Sequence, residues 1–348
     1  GKFSLMNSKP DFKSYLSQVE KHLKSQRATE HTYRSALESL IKSLGDDFSA
    51  RNEPKQIACG APDLALQRGD LVLGYIEAKD VGKPLDAVED TDQIDRYKQA
   101  LPNLVLTDYL EFRWFEDGEH RMTERLAHPG PDGTLRPVDG GIAQVQNLLN
   151  AVLGRTPEPI ADAETLAARM AQTTHMIHDI VVEALQQGKA SDLLVDLRQV
   201  FADSLIPGID KPAKASEFAD MYAQTLAYGL FAARVNHDDT EGSFQRLGAA
   251  GEIPQTNPFL RKLFREITGP DLQDEPYAGF VDDLVQLLAT ADIRAVLEDF
   301  GEHTRQEDPV VHFYETYLRE YDPELRELRG VYYTPEPIVS YITRSVDH

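Results

Sequence analysis

The chain has 348 residues, 41% of them hydrophobic, enough to supply cores for two domains, and its formal net charge of −22 excludes a protein that coats nucleic acid non-specifically. A single cysteine, Cys59, excludes a disulfide framework, and no apolar run approaches a membrane span or a signal peptide, so a cytoplasmic location is expected. The charge is uneven: residues 1–45 carry eight Lys and Arg against four Asp and Glu, which leaves room for a local basic surface.

In chain order, Phe12, Tyr15, Leu16, Val19 and Leu23 recur at helical spacing and predict a first amphipathic helix. Thr29 is the expected N-cap of a second, in which Ala36, Leu37, Leu40, Ile41 and Leu44 form the buried stripe. Glu30 lies in its first turn, where a carboxylate favours the helix dipole. It is also a candidate acidic ligand, as is Glu38 further along.

The densest chemistry lies between Ala61 and Lys79. Two apolar runs flank Gln67-Arg68-Gly69-Asp70, the pattern of a β-hairpin. Alternation along the second run puts Leu71, Leu73, Tyr75, Glu77 and Lys79 on one face and Val72, Gly74, Ile76 and Ala78 on the other. Glu77 and Lys79 then emerge side by side at the strand end, and a hairpin of this length brings Asp63 near Glu77. Two carboxylates suit Mg²⁺, and an adjacent ammonium can orient or help deprotonate an attacking water. The alternative is a surface strand with an ordinary ion pair. Here the charges end an apolar strand instead of alternating along an exposed one, which weighs against it.

Asp80 to Thr91, with Gly82 and Pro84, reads as a loop. Asp92 to Leu101 reads as a helix on which Gln93 and Tyr97 share a face. Strands are predicted at Leu104–Thr107 and Leu110–Phe115, the second turning at Asp117-Gly118 into a short partner. The sum is a mixed sheet flanked by helices.

These residues resemble a known family. Asp63 after Pro62, then Glu77-Ala78-Lys79, then Gln93-x-x-x-Tyr97, is similar to the PD-(D/E)XK nuclease core with the Gln-x-x-x-Tyr extension of RecB-like nucleases. Thr29-Glu30-His31-Thr32-Tyr33-Arg34, Cys59-Gly60-Ala61-Pro62-Asp63 and Leu106-Thr107-Asp108-Tyr109 resemble the amino-terminal nuclease domains of fused restriction-modification enzymes of type IIG. The resemblance covers about residues 25–125. It implies that Asp63 and Glu77 hold Mg²⁺, helped by the carbonyl of Ala78, and that Lys79 positions the water attacking a DNA phosphodiester. Glu30 matches the acidic residue of the family's first core helix better than Glu38. Gln93 and Tyr97 would steady the site or the phosphate backbone, or simply pack their helix on the sheet.

Pro and Gly then crowd residues 127–141, and Gly154-Arg155-Thr156-Pro157-Glu158-Pro159 forms a second breaker after a short helix around Val145 to Leu153. Beyond it apolar stripes of helical period recur near 162–187, 192–205, 216–235, 279–298 and 309–321. His175 and His178, with Asp179, sit on one helix without a third dedicated ligand, so no zinc site is expected. Arg261-Lys262-Leu263-Phe264-Arg265 reads as a solvated helix face.

At the carboxyl end, Gly330-Val331-Tyr332-Tyr333-Thr334-Pro335-Glu336-Pro337 leads into a helix with Thr334 as N-cap and Pro335 at its first position. This resembles the segment that opens DNA adenine methyltransferases, where Tyr332, Tyr333, Thr334 and Pro335 would wall the S-adenosylmethionine pocket. No Gly-rich cofactor loop, adenine-gripping Asn/Asp-Pro-Pro-aromatic motif or Gly-x-x-x-x-Gly-Lys-Ser/Thr loop occurs.

The expected organisation is an α/β nuclease core at 1–128, a Pro/Gly-rich linker with a short helix at 129–161, an all-α helical connector at 162–329 and the start of a methyltransferase domain at 330–348. The expected function is Mg²⁺-dependent cleavage of double-stranded DNA in host defence. Cutting both strands would call for a homodimer. S-adenosylmethionine would serve only a full-length enzyme, and methylation is not expected of this chain. The alternative is a catalytically degenerate nuclease-like module that binds DNA or regulates a methyltransferase.

Overall fold

A computed structural model of the chain describes residues 10–25, 30–52, 62–69, 71–155, 159–204, 206–252, 264–301 and 309–323. They divide after residue 156 into a unit built on a sheet and a unit built of helices.

In the first unit, α1 (Phe12–Ser25) and α2 (Glu30–Ser43) form where the apolar stripes place them, burying Phe12, Tyr15 and Val19 on one and Ala36, Leu37, Leu40 and Ile41 on the other. Six strands follow, neighbours in sequence order: β1 (Phe48–Asn52), β2 (Leu64–Arg68), β3 (Leu71–Ala78), β4 (Asn103–Thr107), β5 (Glu111–Glu116) and β6 (Glu119–Arg125). Every pair is antiparallel except β3 with β4. A parallel pair needs a crossover, which α3 (Asp86–Glu89) and α4 (Asp92–Ala100) supply. The short α3 lies in the stretch read as a loop, and β1 is not foreshadowed by any apolar run.

Both faces of the sheet are covered. Leu64, Leu66, Ile76, Val105 and Phe112 join α1, α2 and a further helix, α5 (Gly141–Gly154), in one core. Across the sheet, Arg113 of β5 reaches Asp86 and Glu89 of α3 at 2.6 and 2.8 Å, and Lys98 of α4 lies over the Phe115 ring.

The boundary expected at 128 falls inside this unit. The Pro/Gly-rich stretch folds into a hairpin of β7 (Ala127–Pro129) and β8 (Leu135–Pro137), closed by the Gly130 amide donating to the Thr134 carbonyl at 2.7 Å. The short helix expected within a linker is α5, which buries Val145, Leu148, Leu149 and Val152 in the shared core. A Cβ on Gly141 would meet the Arg125 carbonyl oxygen at 2.4 Å, so glycine is what lets α5 start this close to β6. Gly and Pro serve a tight turn as well as a linker, and composition alone does not separate the two.

The second unit contains α6 (Ala163–Gln186), α7 (Asp192–Ser204), α8 (Ala215–Asn236), α9 (Arg246–Glu252), α10 (Ala278–Thr290), α11 (Ile293–Gly301) and α12 (Pro309–Tyr321). The stripe read as one helix over 279–298 is two, because Asp292 turns its amide to the Ile160 carbonyl at 2.9 Å and caps α11 through the Ala295 amide. Phe231 stacks on Phe313 at 3.9 Å, Tyr222 and Tyr277 share a hydrogen bond of 2.9 Å between hydroxyls, and the Tyr317 hydroxyl donates to Thr174 at 3.0 Å. The architecture is thus a mixed sheet flanked by helices followed by a helical region. No helix among the described residues is long and apolar enough to cross a membrane. The predicted cap Thr29, the Arg261–Leu263 group and the whole of 330–348, including Tyr332, Tyr333, Thr334 and Pro335, lie outside the described residues.

Candidate functional site

The βαβ crossover sets the carboxyl ends of β3 and β4 side by side, a place where open α/β sheets commonly bind ligands. Leu64 pairs with Ile76, so Asp63, one residue before β2, comes opposite Glu77. Like charges opposite each other on a ladder are destabilising, and Glu77 is only 4% exposed. An arrangement that stability alone would select against is therefore built into the end of the central hairpin.

Lys79 follows β3 on the side of Glu77, as the strand parity predicts, and its ammonium lies 2.5 Å from Glu77 Oε1. The other oxygen, Glu77 Oε2, is buried without a hydrogen-bond partner. Burial first, and the Asp63 carboxylate second, push the Glu77 carboxyl up to about 7, against the opposing pull of Lys79 and Arg34. Asp63 Oδ2 accepts the Ala78 amide at 2.8 Å, so Ala78 meets the site through its N–H.

Asp63 Oδ1 accepts from the guanidinium of Arg34, a buried residue of α2. Sequence reasoning passed over this residue and proposed the acidic members of the same helix, Glu30 and Glu38, which stand four positions before and after it. Glu30 begins α2, and its side chain lies outside the described residues. Among the described residues no group of three or more Asp, Glu, His or Cys able to hold a metal is found. A signal for Arg34 was present: it stands three before Leu37 and seven before Ile41, in register with the buried stripe, and a buried arginine requires an acidic partner.

On α4, Gln93 donates its amide to the Tyr97 hydroxyl at 3.0 Å. Tyr97 is buried, and its hydroxyl is pushed well up by burial and then by the Glu77 and Asp63 carboxylates, which places it in their field.

Behind Lys79, its amide donates to the Thr107 carbonyl at 2.7 Å. Asp108 then clamps the turn into β5, accepting from the amides of Leu110 and Glu111 at 3.0 and 2.6 Å and from the Gly82 amide, in the loop after Lys79, at 3.2 Å. The next residue, Tyr109, has a φ of 70°. Its carbonyl accepts from the buried Tyr15 hydroxyl of α1 at 2.7 Å.

The chemistry of the donors is of the kind a divalent cation takes: two hard carboxylates face each other, and Glu77 Oε2 is buried without a hydrogen-bond partner. The histidines of α6 are used otherwise. His175 stacks on Tyr321 at 4.3 Å, and His178 pairs with Asp179 at 3.0 Å.

No family model and no curated protein matches the chain. Among solved structures, the cryoEM structure of a DrdV–DNA complex aligns with 92% of this chain and 30% of that chain, at 17% identity and a TM-score of 0.31. This chain therefore spans under a third of the chain it aligns with, and a score this low carries no argument.

Proposed function

We propose that the first unit is a metal-dependent nuclease of the PD-(D/E)XK kind, hydrolysing phosphodiester bonds of double-stranded DNA. The observation that carries this reading is the buried, unpartnered Glu77 Oε2 opposite Asp63 with Lys79 alongside. Asp63 and Glu77 would hold Mg²⁺. A cation bound there supplies Lewis-acid polarisation of a phosphoryl oxygen and lowers the pKa of water. Lys79 orients the attacking water and offsets charge that develops on the phosphate. Gln93 holds the Tyr97 hydroxyl on the edge of the same field, able to donate to a phosphate oxygen. The test is incubation of the purified chain with duplex DNA and Mg²⁺ or Mn²⁺, beside Lys79→Ala. Cation-dependent cutting by the wild type alone supports the reading, and no cutting under any cation overturns it.

A second reading, a catalytically degenerate module that binds DNA, is favoured by one observation: the Arg34 guanidinium occupies an oxygen of Asp63 that a nuclease would give to the metal. The same incubation separates the two, because a degenerate module retains DNA without cutting it. Residues 330–348 are proposed, on sequence resemblance, to lead toward an adenine methyltransferase domain.

A further inference from the structure

The two carboxylates facing the cation position are unequally available. Glu77 has one oxygen on Lys79 and the other without a partner. Asp63 has both oxygens engaged by this chain's own donors, Oδ1 by the Arg34 guanidinium and Oδ2 by the Ala78 amide. Arg34 is 4% exposed, so drawing its guanidinium away from Asp63 carries a desolvation penalty that a second anion within its reach would offset. A DNA phosphate is such an anion, since a guanidinium engages phosphate with the same planar fork that it offers a carboxylate. A divalent cation arriving alone would meet the guanidinium charge at close range.

We infer that Arg34 is a positioning residue that holds Asp63 away from the metal until a DNA phosphate draws the guanidinium off, so that cation binding and DNA binding are coupled through this side chain. The inference rests on the nuclease reading of the site. Without DNA, the site binds its cation weakly. With DNA, Arg34 passes from the carboxylate to the phosphate, and Asp63 becomes a ligand.

The test is calorimetric titration of the full chain with MnCl₂, with and without duplex DNA, for the wild type, Glu77→Gln, Arg34→Gln, Arg34→Lys and the double variant Arg34→Gln with Glu77→Gln. Without DNA, wild type is expected to show no site saturating below millimolar Mn²⁺. Arg34→Gln is expected to gain one site on the order of tenfold tighter or more, lost again in the double variant, with Arg34→Lys in between. Binding of a fluorescent duplex is read in parallel with and without Ca²⁺. Reciprocity requires Ca²⁺ to tighten wild-type DNA binding by the same factor that DNA tightens cation binding, and this coupling should shrink in Arg34→Gln, which a merely structural role would not produce. Sub-millimolar, Glu77-dependent Mn²⁺ binding by the wild type without DNA overturns the inference and leaves the nuclease reading standing. Absence of any Glu77-dependent Mn²⁺ site, with or without duplex, overturns both. Should Arg34→Gln fail to fold by circular dichroism, the wild-type titration with and without duplex decides alone.

Discussion

Each unit of this protein buries a glutamate with one oxygen lacking a hydrogen-bond partner, Glu77 in the sheet unit and Glu275 in the helical unit, and the two differ in what surrounds them. Glu77 stands among Asp63, Lys79 and Arg34, charged groups brought together from just before β2, just after β3 and from α2. Glu275 is pushed up by burial, is eased by a hydrogen bond from Ser191, and feels Asp274. Burial of a carboxylate is thus not itself the mark of a site. The difference is that at Glu77 the burial penalty is incurred where charges from separate elements converge.

That comparison can be broken most decisively by Glu77→Gln. Cleavage should fall by roughly 10³-fold or more, the scale of losing a group that stabilises transition-state charge. The metal-free first unit should instead become more stable at pH 7, by on the order of 2 kcal/mol, because a neutral amide no longer faces Asp63 from a buried position raised to about 7. Glu275→Gln should leave cleavage unchanged. A DNA nicking assay beside a thermal melt reads both, and a cleavage loss in Glu275→Gln would undo the distinction between the two glutamates.

Next in size, Phe313→Ala should destabilise the helical unit by about 3–5 kcal/mol, since it removes the ring stacked at 3.9 Å on Phe231. Limited proteolysis should then nick the helical unit first while the proposed cleavage by the sheet unit persists. Lys79→Ala should lower cleavage roughly 10²-fold with the fold retained, a value set by proton-transfer and water-positioning effects. The smaller effect expected of Tyr222→Phe is about 1 kcal/mol, the net contribution of the hydroxyl pair with Tyr277, and it should leave DNA cutting untouched.

The slightest effect concerns acid. Partial desolvation of its ring, stacked on Tyr321, lowers the pKa of His175 from its ordinary 6.5, so on acidification the unfolded chain takes up the proton first. The contribution of this residue to stability is therefore complete above pH 6.5 and is lost as pH falls from there through the lower folded value. His175→Gln should flatten that part of the stability profile, measured by denaturant melts between about pH 5 and 7.5.

Much of the sheet unit was legible because its signals are local. Strand alternation placed Glu77 and Lys79 on one side, and hairpin length placed Asp63 across from Glu77. The apolar stripes of α1 and α2 were read correctly for the same reason. What was missed depends on partners distant in sequence. β1 reads Phe-Ser-Ala-Arg-Asn and is a strand through its ladder with β2 at the edge of the sheet, where side chains need not be apolar. Arg34 was hidden because its partner lies 29 positions away. The β7–β8 hairpin reads as a linker in sequence because turn residues carry no record of the pairing they close.

The bond from the Tyr15 hydroxyl to the Tyr109 carbonyl joins residues 94 positions apart, and it fixes the turn whose neighbours hold the Lys79 backbone. At a ribosomal rate of about 5–20 residues per second, α1 would wait roughly 5 to 20 seconds between its own synthesis and that of its acceptor. The lysine end of the candidate site is therefore completed only after the turn that follows β4 has been made. A chain stalled before β4 would carry Asp63, Glu77 and Lys79 and still lack the frame that aligns them.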